Sequence, residues 1–270
     1  MVTKNNIKAE INITILASIT IITYFLTQII HEGVGHGGAT ILFGGKIIQV
    51  TNTYLQYDAA TEFSPAAVRM IAASGTLANV TAGVLALFVL RSSSVKKANM
   101  RFFLWLFGYV NLFKGFGYLM ISFAPIGDWH DVSTGLPSET FWMVVFTLVG
   151  MVASLGTFFH AARTLDEFLG RDTDRRRRAF TLTLIPYLLG GSINVLAILI
   201  GLGVTFYVFT GALATFGGMF LMVWIGFAIG LPRASTPSIP LTPDRSIGWL
   251  IAGGVALAAY IFWLGPGLIL

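Results

Sequence analysis

The chain has no cysteine and carries little charge. The first absence removes disulfides, thiolate metal sites and cysteine nucleophiles together, so any metal must be held by His, Asp or Glu. Only 11% of the 270 residues are charged and 55% are apolar, against roughly a quarter charged in an ordinary soluble domain. A soluble fold of this size could not hide so much apolar surface. The formal charge of +5 does not point to nucleic acid, because the positive residues sit in short connections between apolar blocks, where membrane proteins set their orientation. A cleaved signal is not expected either. The run Ile11 to Ile30 is longer than a signal core, is followed by no small-residue cleavage site, and leads straight into a His/Glu motif.

What the chain does have is apolar blocks of about 20 residues or more, enough to cross a hydrocarbon core about 30 Å thick. They predict an all-α polytopic membrane protein, a single integral membrane domain. About seven (six to seven) transmembrane helices are expected, at 11–31, 65–90, 102–124, 140–161, 180–204, 207–230 and 247–268. The first extends as helix toward Phe43. Only Gly201, Gly203 and Gly211 punctuate 180–230, and a re-entrant piece there would lower the count to six. Residues 44–62 break the apolar pattern. Ile48 and Val50 alternate with Thr51 and Thr53, ahead of Tyr54 and Tyr57, which predicts a short β-ribbon or membrane-hugging loop. Its edge could take an extended peptide by strand addition, or be a structural hairpin. Pro232 to Pro243 is a loop by composition.

Charge is distributed unevenly among the connections. The N-terminus (Lys4, Lys8), the 91–101 and 163–178 links and the 233–245 loop hold 14 of the 17 basic residues. Seven spans put all four on one side, and the positive-inside rule makes that side cytoplasmic, N-in and C-out. The run Arg175 to Arg178 reads as an anchor against anionic lipid.

The chemistry concentrates at His31-Glu32-Gly33-Val34-Gly35-His36, at the end of the first span. Ionisable groups at membrane depth are expensive and mark function. Two imidazoles with an adjacent carboxylate suit a hydrolytic zinc site: the imidazoles bind Zn²⁺, which acidifies a water, and Glu32 takes the proton as general base. The usual form places the histidines at i and i+4 on one helix face. Here they stand at i and i+5, about 140° apart on a regular helix. A π-bulge would return them to one face, and Gly33, Gly35, Gly37 and Gly38 make that distortion sterically cheap.

The run HEGVGHGGATILFGGKI resembles the zinc helix of site-2-protease-type intramembrane metalloproteases, with one residue inserted. Ala73-Ser74-Gly75-Thr76-Leu77-Ala78-Asn79 is similar to that family's small-Gly-Pro-x-x-Asn span, with Thr76 in place of proline. Asn111-Leu112, then Ala124-Pro125-Ile126-Gly127-Asp128, is similar to the segment supplying its third ligand, an Asp. The likeness covers about residues 20–135. It implies that residues 1–135 form a metalloprotease-like core and 136–270 additional transmembrane helices. It also implies a Zn²⁺ cofactor, a membrane-tethered protein substrate, and work near the cytosolic face.

Spacing alone leaves Asp128 and His130 competing as third ligand, and the resemblance favours Asp128. Spans one and three run in the same direction, so their ends can meet. Asp131 would orient a ligand or be a solvated acid. Lys114, inside a span, would meet an acid, stabilise an oxyanion or snorkel. Asn79 would support the site and Asn111 belongs to the ligand segment, while Asn194 is read as helix packing. The expectation is a multi-pass protein of a prokaryotic plasma membrane, acting as a zinc metalloprotease with its site toward the extracytoplasmic face. The alternatives are a non-catalytic chaperone or regulator of the same fold, and an ion- or proton-coupled transporter using His31, Glu32, Lys114 and Asp128.

Overall fold

The computed structural model describes residues 10–270; Lys4 and Lys8 lie outside the described residues. The fold is all-α and polytopic. Among the described residues, six helices are long and apolar enough to cross a membrane: α1 Ile13–Leu42, α2 Pro65–Leu90, α5 Glu139–Leu169, α6 Arg175–Leu202, α7 Phe206–Ala228 and α8 Ile247–Leu264. Between them lie α3 (Ala98–Met120) and a short α4 (Asp128–Ser133). These are the dimensions of an integral, multi-pass membrane protein.

Local chemistry sets the helix ends. Asn12 Oδ1 accepts from Ile15 N–H at 3.1 Å to open α1, and Ser64 caps α2 with Pro65 in its first turn. Gly203, at φ 71°, closes α6. That turn separates α6 from α7, so the 180–230 stretch is two helices and not one span with a re-entrant piece; the count is six because the expected 102–124 span does not qualify.

The helix α3 differs from the sequence expectation in an informative way. With 23 residues it is long enough to cross, yet it is not among the helices apolar enough to qualify. It packs against α1, α2 and α5, and 14 of its 23 residues are buried, Asn99, Asn111 and Lys114 among them. A helix enclosed by other helices faces little lipid, so it can carry polar residues that a lipid-facing helix cannot.

Residues 44–62 form the ribbon: β1 Ile47–Val50 pairs antiparallel with β2 Leu55–Tyr57. A third strand, β3 Leu268–Ile269, covers the other edge of β1. In the order β2-β1-β3 the outer strands are β2 and the two-residue β3. Period-two alternation marked the hairpin, but a two-residue strand more than 200 residues away carries no such signal.

The basic links gather at one end. Arg101 pairs with Glu167 at 2.7 Å, Arg171 donates to the carbonyls of Thr236 and Ala234, and Asn99 bonds Asp244. The Arg175–Arg178 run is not a uniform lipid anchor. Arg175 and Arg178 are buried, on Asp166 and Asp172, whereas Arg176 lies over the rings of Phe180 and Phe227 and Arg177 is exposed. Helical spacing sends alternate pairs of the run to opposite faces, and the inward pair satisfies loop acids and carbonyls.

Candidate metal centre

The first helix does not stop at the histidines. It runs on to Leu42, and its middle, Ile29–Gly37, is π-helical. His31 and His36 are therefore inside the helix, about 27 Å of rise from its start for His31, and not at its end. The wider winding turns i and i+5 to the same side. The two Nε2 atoms are 3.3 Å apart and the rings meet edge-on at 88°.

Packing against α2 holds this geometry. A Cβ on Gly35 would stand 2.6 Å from Gly75 Cα, and one on Gly75 would stand 2.5 Å from His36 Nε2 and 2.8 Å from His31 Cε1. The two backbones cross where the imidazoles lie, and only glycine at both positions permits it.

Each histidine is oriented through its other nitrogen. His31 Nδ1 is 2.6 Å from Asn79 Oδ1. The Asn79 amide donates to Asn111 Oδ1 at 2.7 Å and to the Thr27 carbonyl at 3.2 Å, which leaves its oxygen for His31. His36 Nδ1 lies 2.7 Å from the Ile71 carbonyl, which can only accept. Both Nδ1 atoms therefore carry a proton, and in the neutral form of each imidazole Nε2 turns its lone pair toward the cavity.

A third donor meets them. Gly127, at φ 81°, turns the chain into α4, and Trp129 Nε1 donates to Thr76 Oγ1 at 2.9 Å, pinning α4 onto α2. This places Asp128 Oδ2 3.1 Å from His31 Nε2 and 3.5 Å from His36 Nε2, buried and without a hydrogen-bond partner. Burial works against ionisation of this carboxyl; in the metal-free form of the site, protonated imidazoles, His36 foremost, oppose that and hold it well below the ordinary carboxylate range.

With both imidazoles neutral, three electron-rich atoms at edges of 3.1, 3.3 and 3.5 Å repel unless a proton or a metal ion sits among them. Ligands about 2.0–2.1 Å from a tetrahedral ion stand about 3.3 Å apart, so the triangle matches one face of such a site. The group His31, His36 and Asp128 could thus hold a metal ion, with a fourth position facing the cavity.

Other residues fall around it. His130, two residues beyond Asp128 on α4, is not in the group, and its buried Nδ1 has no partner among the described residues. A 280 Å³ cavity opens on the site, walled by Glu32, His36, Asp128, Asp131 and residues of β2. Burial, then the charge of Asp128, raises the pKa of Asp131. Lys114 is buried, with no carboxylate at ion-pair distance among the described residues; its ammonium sits 5.8 Å above the Tyr118 ring. The charges acting on it are Glu32 and Asp128. Tyr118, packed on His31 with ring centroids 4.8 Å apart, had no place in the sequence reading. The i, i+4 spacing from Lys114 was the available signal. The Ile71 carbonyl had no signal at all, since a main-chain acceptor leaves no trace in side-chain identity.

Fold and site together define a polytopic membrane protein with a buried three-donor centre. Comparison of the chain with protein-family models, curated proteins and solved structures finds no match.

Proposed function

We propose that the chain is an intramembrane zinc metalloprotease of the site-2-protease type, hydrolysing peptide bonds of membrane-tethered proteins. The observation that carries this reading is the convergence of His31 Nε2, His36 Nε2 and Asp128 Oδ2 beside Glu32 in one buried cavity. All-nitrogen-and-oxygen donors in a triangle of that size suit Zn²⁺ with one open position. When bound, Zn²⁺ would supply Lewis acidity toward a substrate carbonyl and an attacking water. Glu32, buried on the wall of the cavity, takes the proton of that water as its oxygen bonds to the carbonyl carbon. It then delivers the proton to the departing amine as the carbon–nitrogen bond breaks. Asn79 and the Ile71 carbonyl hold the imidazoles through these steps. Lys114 adds positive charge against the carboxylates. An unwound substrate lies along the outer edge of β2, which borders the cavity.

The basic links meet at one end, and by the positive-inside rule we assign that end to the cytoplasm. The catalytic cavity then opens toward the extracytoplasmic side, the inverse of what the family resemblance implies.

The test is zinc content of detergent-purified protein. Near one zinc per chain is expected, with loss in His36→Ala and Asp128→Ala. Glu32→Gln should keep the metal and lose hydrolysis. A native protein without metal, purified free of chelator, refutes the protease reading and favours a non-catalytic regulator.

A further inference from the structure

A second cavity adjoins the centre and shares Asp128 with the first. It is an open cavity of about 480 Å³ with mostly apolar walls: Tyr118, Ile121 and Ile126 together with Phe206, Tyr207 and Ala214 of α7, with Thr53, Asp128 and Thr210 as its polar members. Only Thr53 and Asp128 line both this cavity and the polar chamber. Tyr54 of the first chamber packs at a tilt against Tyr207 of the second, with centroids 5.0 Å apart, so the aromatic pair forms a partition between them. The apolar cavity also reaches a second ligand, because its wall residue Tyr118 lies against the His31 ring.

We infer that this cavity receives a bulky apolar side chain, aromatic or long aliphatic, from the substrate residue flanking the scissile bond. The inference rests on the protease reading and names its substrate class. In an extended chain, neighbouring side chains point to opposite faces. A peptide whose backbone lies in the polar chamber with its carbonyl at the triad therefore sends the adjacent side chain past Asp128. There it meets a space of ligand-pocket size lined by apolar and aromatic groups. A lipid chain is the weaker occupant, because the cavity shares its wall with the reacting centre through a metal-donor residue.

The test uses two peptide hydroxamates that differ only in a phenylalanine or glycine side chain beside the metal-binding group, titrated calorimetrically into the zinc-loaded protein. The phenylalanine probe should bind at least ten-fold tighter, the order expected from burying a phenyl ring. Ala214→Phe, which fills the cavity, should erase the difference and leave glycine-probe affinity and zinc content unchanged. Tyr207→Ala, which opens the partition, should weaken the phenylalanine probe several-fold. Leu148→Phe on the exposed face of α5 should change neither. Equal binding of the two probes to the zinc-loaded native protein overturns the inference alone. A preference untouched by both Ala214→Phe and Tyr207→Ala places the side chain elsewhere and also overturns it. Absence of zinc from the native protein removes the parent reading and this one with it.

Discussion

Replacing Asn79 with alanine tests whether the triad is oriented through its outer hydrogen bonds. Asn79 Oδ1 accepts from His31 Nδ1 at 2.6 Å, and its amide donates to Asn111 at 2.7 Å and to the Thr27 carbonyl at 3.2 Å. Asn111 in turn donates to Thr27 Oγ1 and the Phe107 carbonyl. Truncation leaves the His31 N–H and the Asn111 oxygen buried without partners, at about 1–3 kcal/mol each. It also frees His31 to move its proton to Nε2, the atom through which it would hold the proposed metal. Loss of such an outer partner typically costs 10–100-fold in metal affinity. Asn79→Ala is therefore expected to weaken zinc binding by that factor and to lower the melting temperature. Leu77→Ala, half exposed two residues away on the same helix, serves as control. Chelator competition with a zinc indicator measures the affinity. If Asn79→Ala binds zinc as tightly as the native chain while Leu77→Ala behaves alike, the orientation argument is wrong.

Gly75→Ala should cost more zinc affinity than Asn79→Ala, because its Cβ would sit 2.5 Å from His36 Nε2. Gly156→Ala, with open space around it, should leave binding intact, and the same competition assay separates the two. Asn194→Ala should destabilise the fold by about 2–4 kcal/mol in a melting experiment, since it strands the Gln28 amide, Tyr260 hydroxyl and Thr215 hydroxyl that bond its side chain. Leu196→Ala on the exposed face should have a much smaller effect. At the basic end, the Arg178 hydrogen bond, working against partial burial, lowers the Asp172 pKa. A carboxylate lowered on folding stabilises above its unfolded pKa and loses that contribution as pH falls through the folded value. The pH dependence of melting should therefore flatten across the carboxylate range in Asp172→Asn. An identical profile would show that the pair contributes nothing.

The polar cluster around Asn194 shows how the two halves of the chain are joined. Its oxygen accepts from Gln28 of α1 at 2.6 Å and from Tyr260 of α8 at 2.7 Å, and its amide reaches Thr215 of α7 at 2.8 Å. Gln28 stands one turn before His31. The later helices thus brace the helix that carries the histidines, as the packing reading of Asn194 expected.

Composition and order alone determined that the chain lives in a bilayer and folds as helices, because apolar blocks of spanning length have no other stable form there. They also marked 44–62 as a ribbon or surface loop and singled out two histidines and a glutamate of the candidate centre. His31, Glu32 and His36 declare themselves by chemistry at membrane depth, and the glycines beside them announce a distorted helix. The sequence did not determine which of Asp128 and His130 joins them; that depends on the Gly127 turn and on Trp129 docking against Thr76. It did not reveal α3 as the enclosed helix, β3 as the strand closing the sheet, or Tyr118 and the apolar cavity beside Asp128. The division follows from range. Spanning length and helix winding are written in neighbouring residues, whereas a ligand set, an enclosed helix and a cavity depend on contacts between segments far apart in the chain, which only packing brings together.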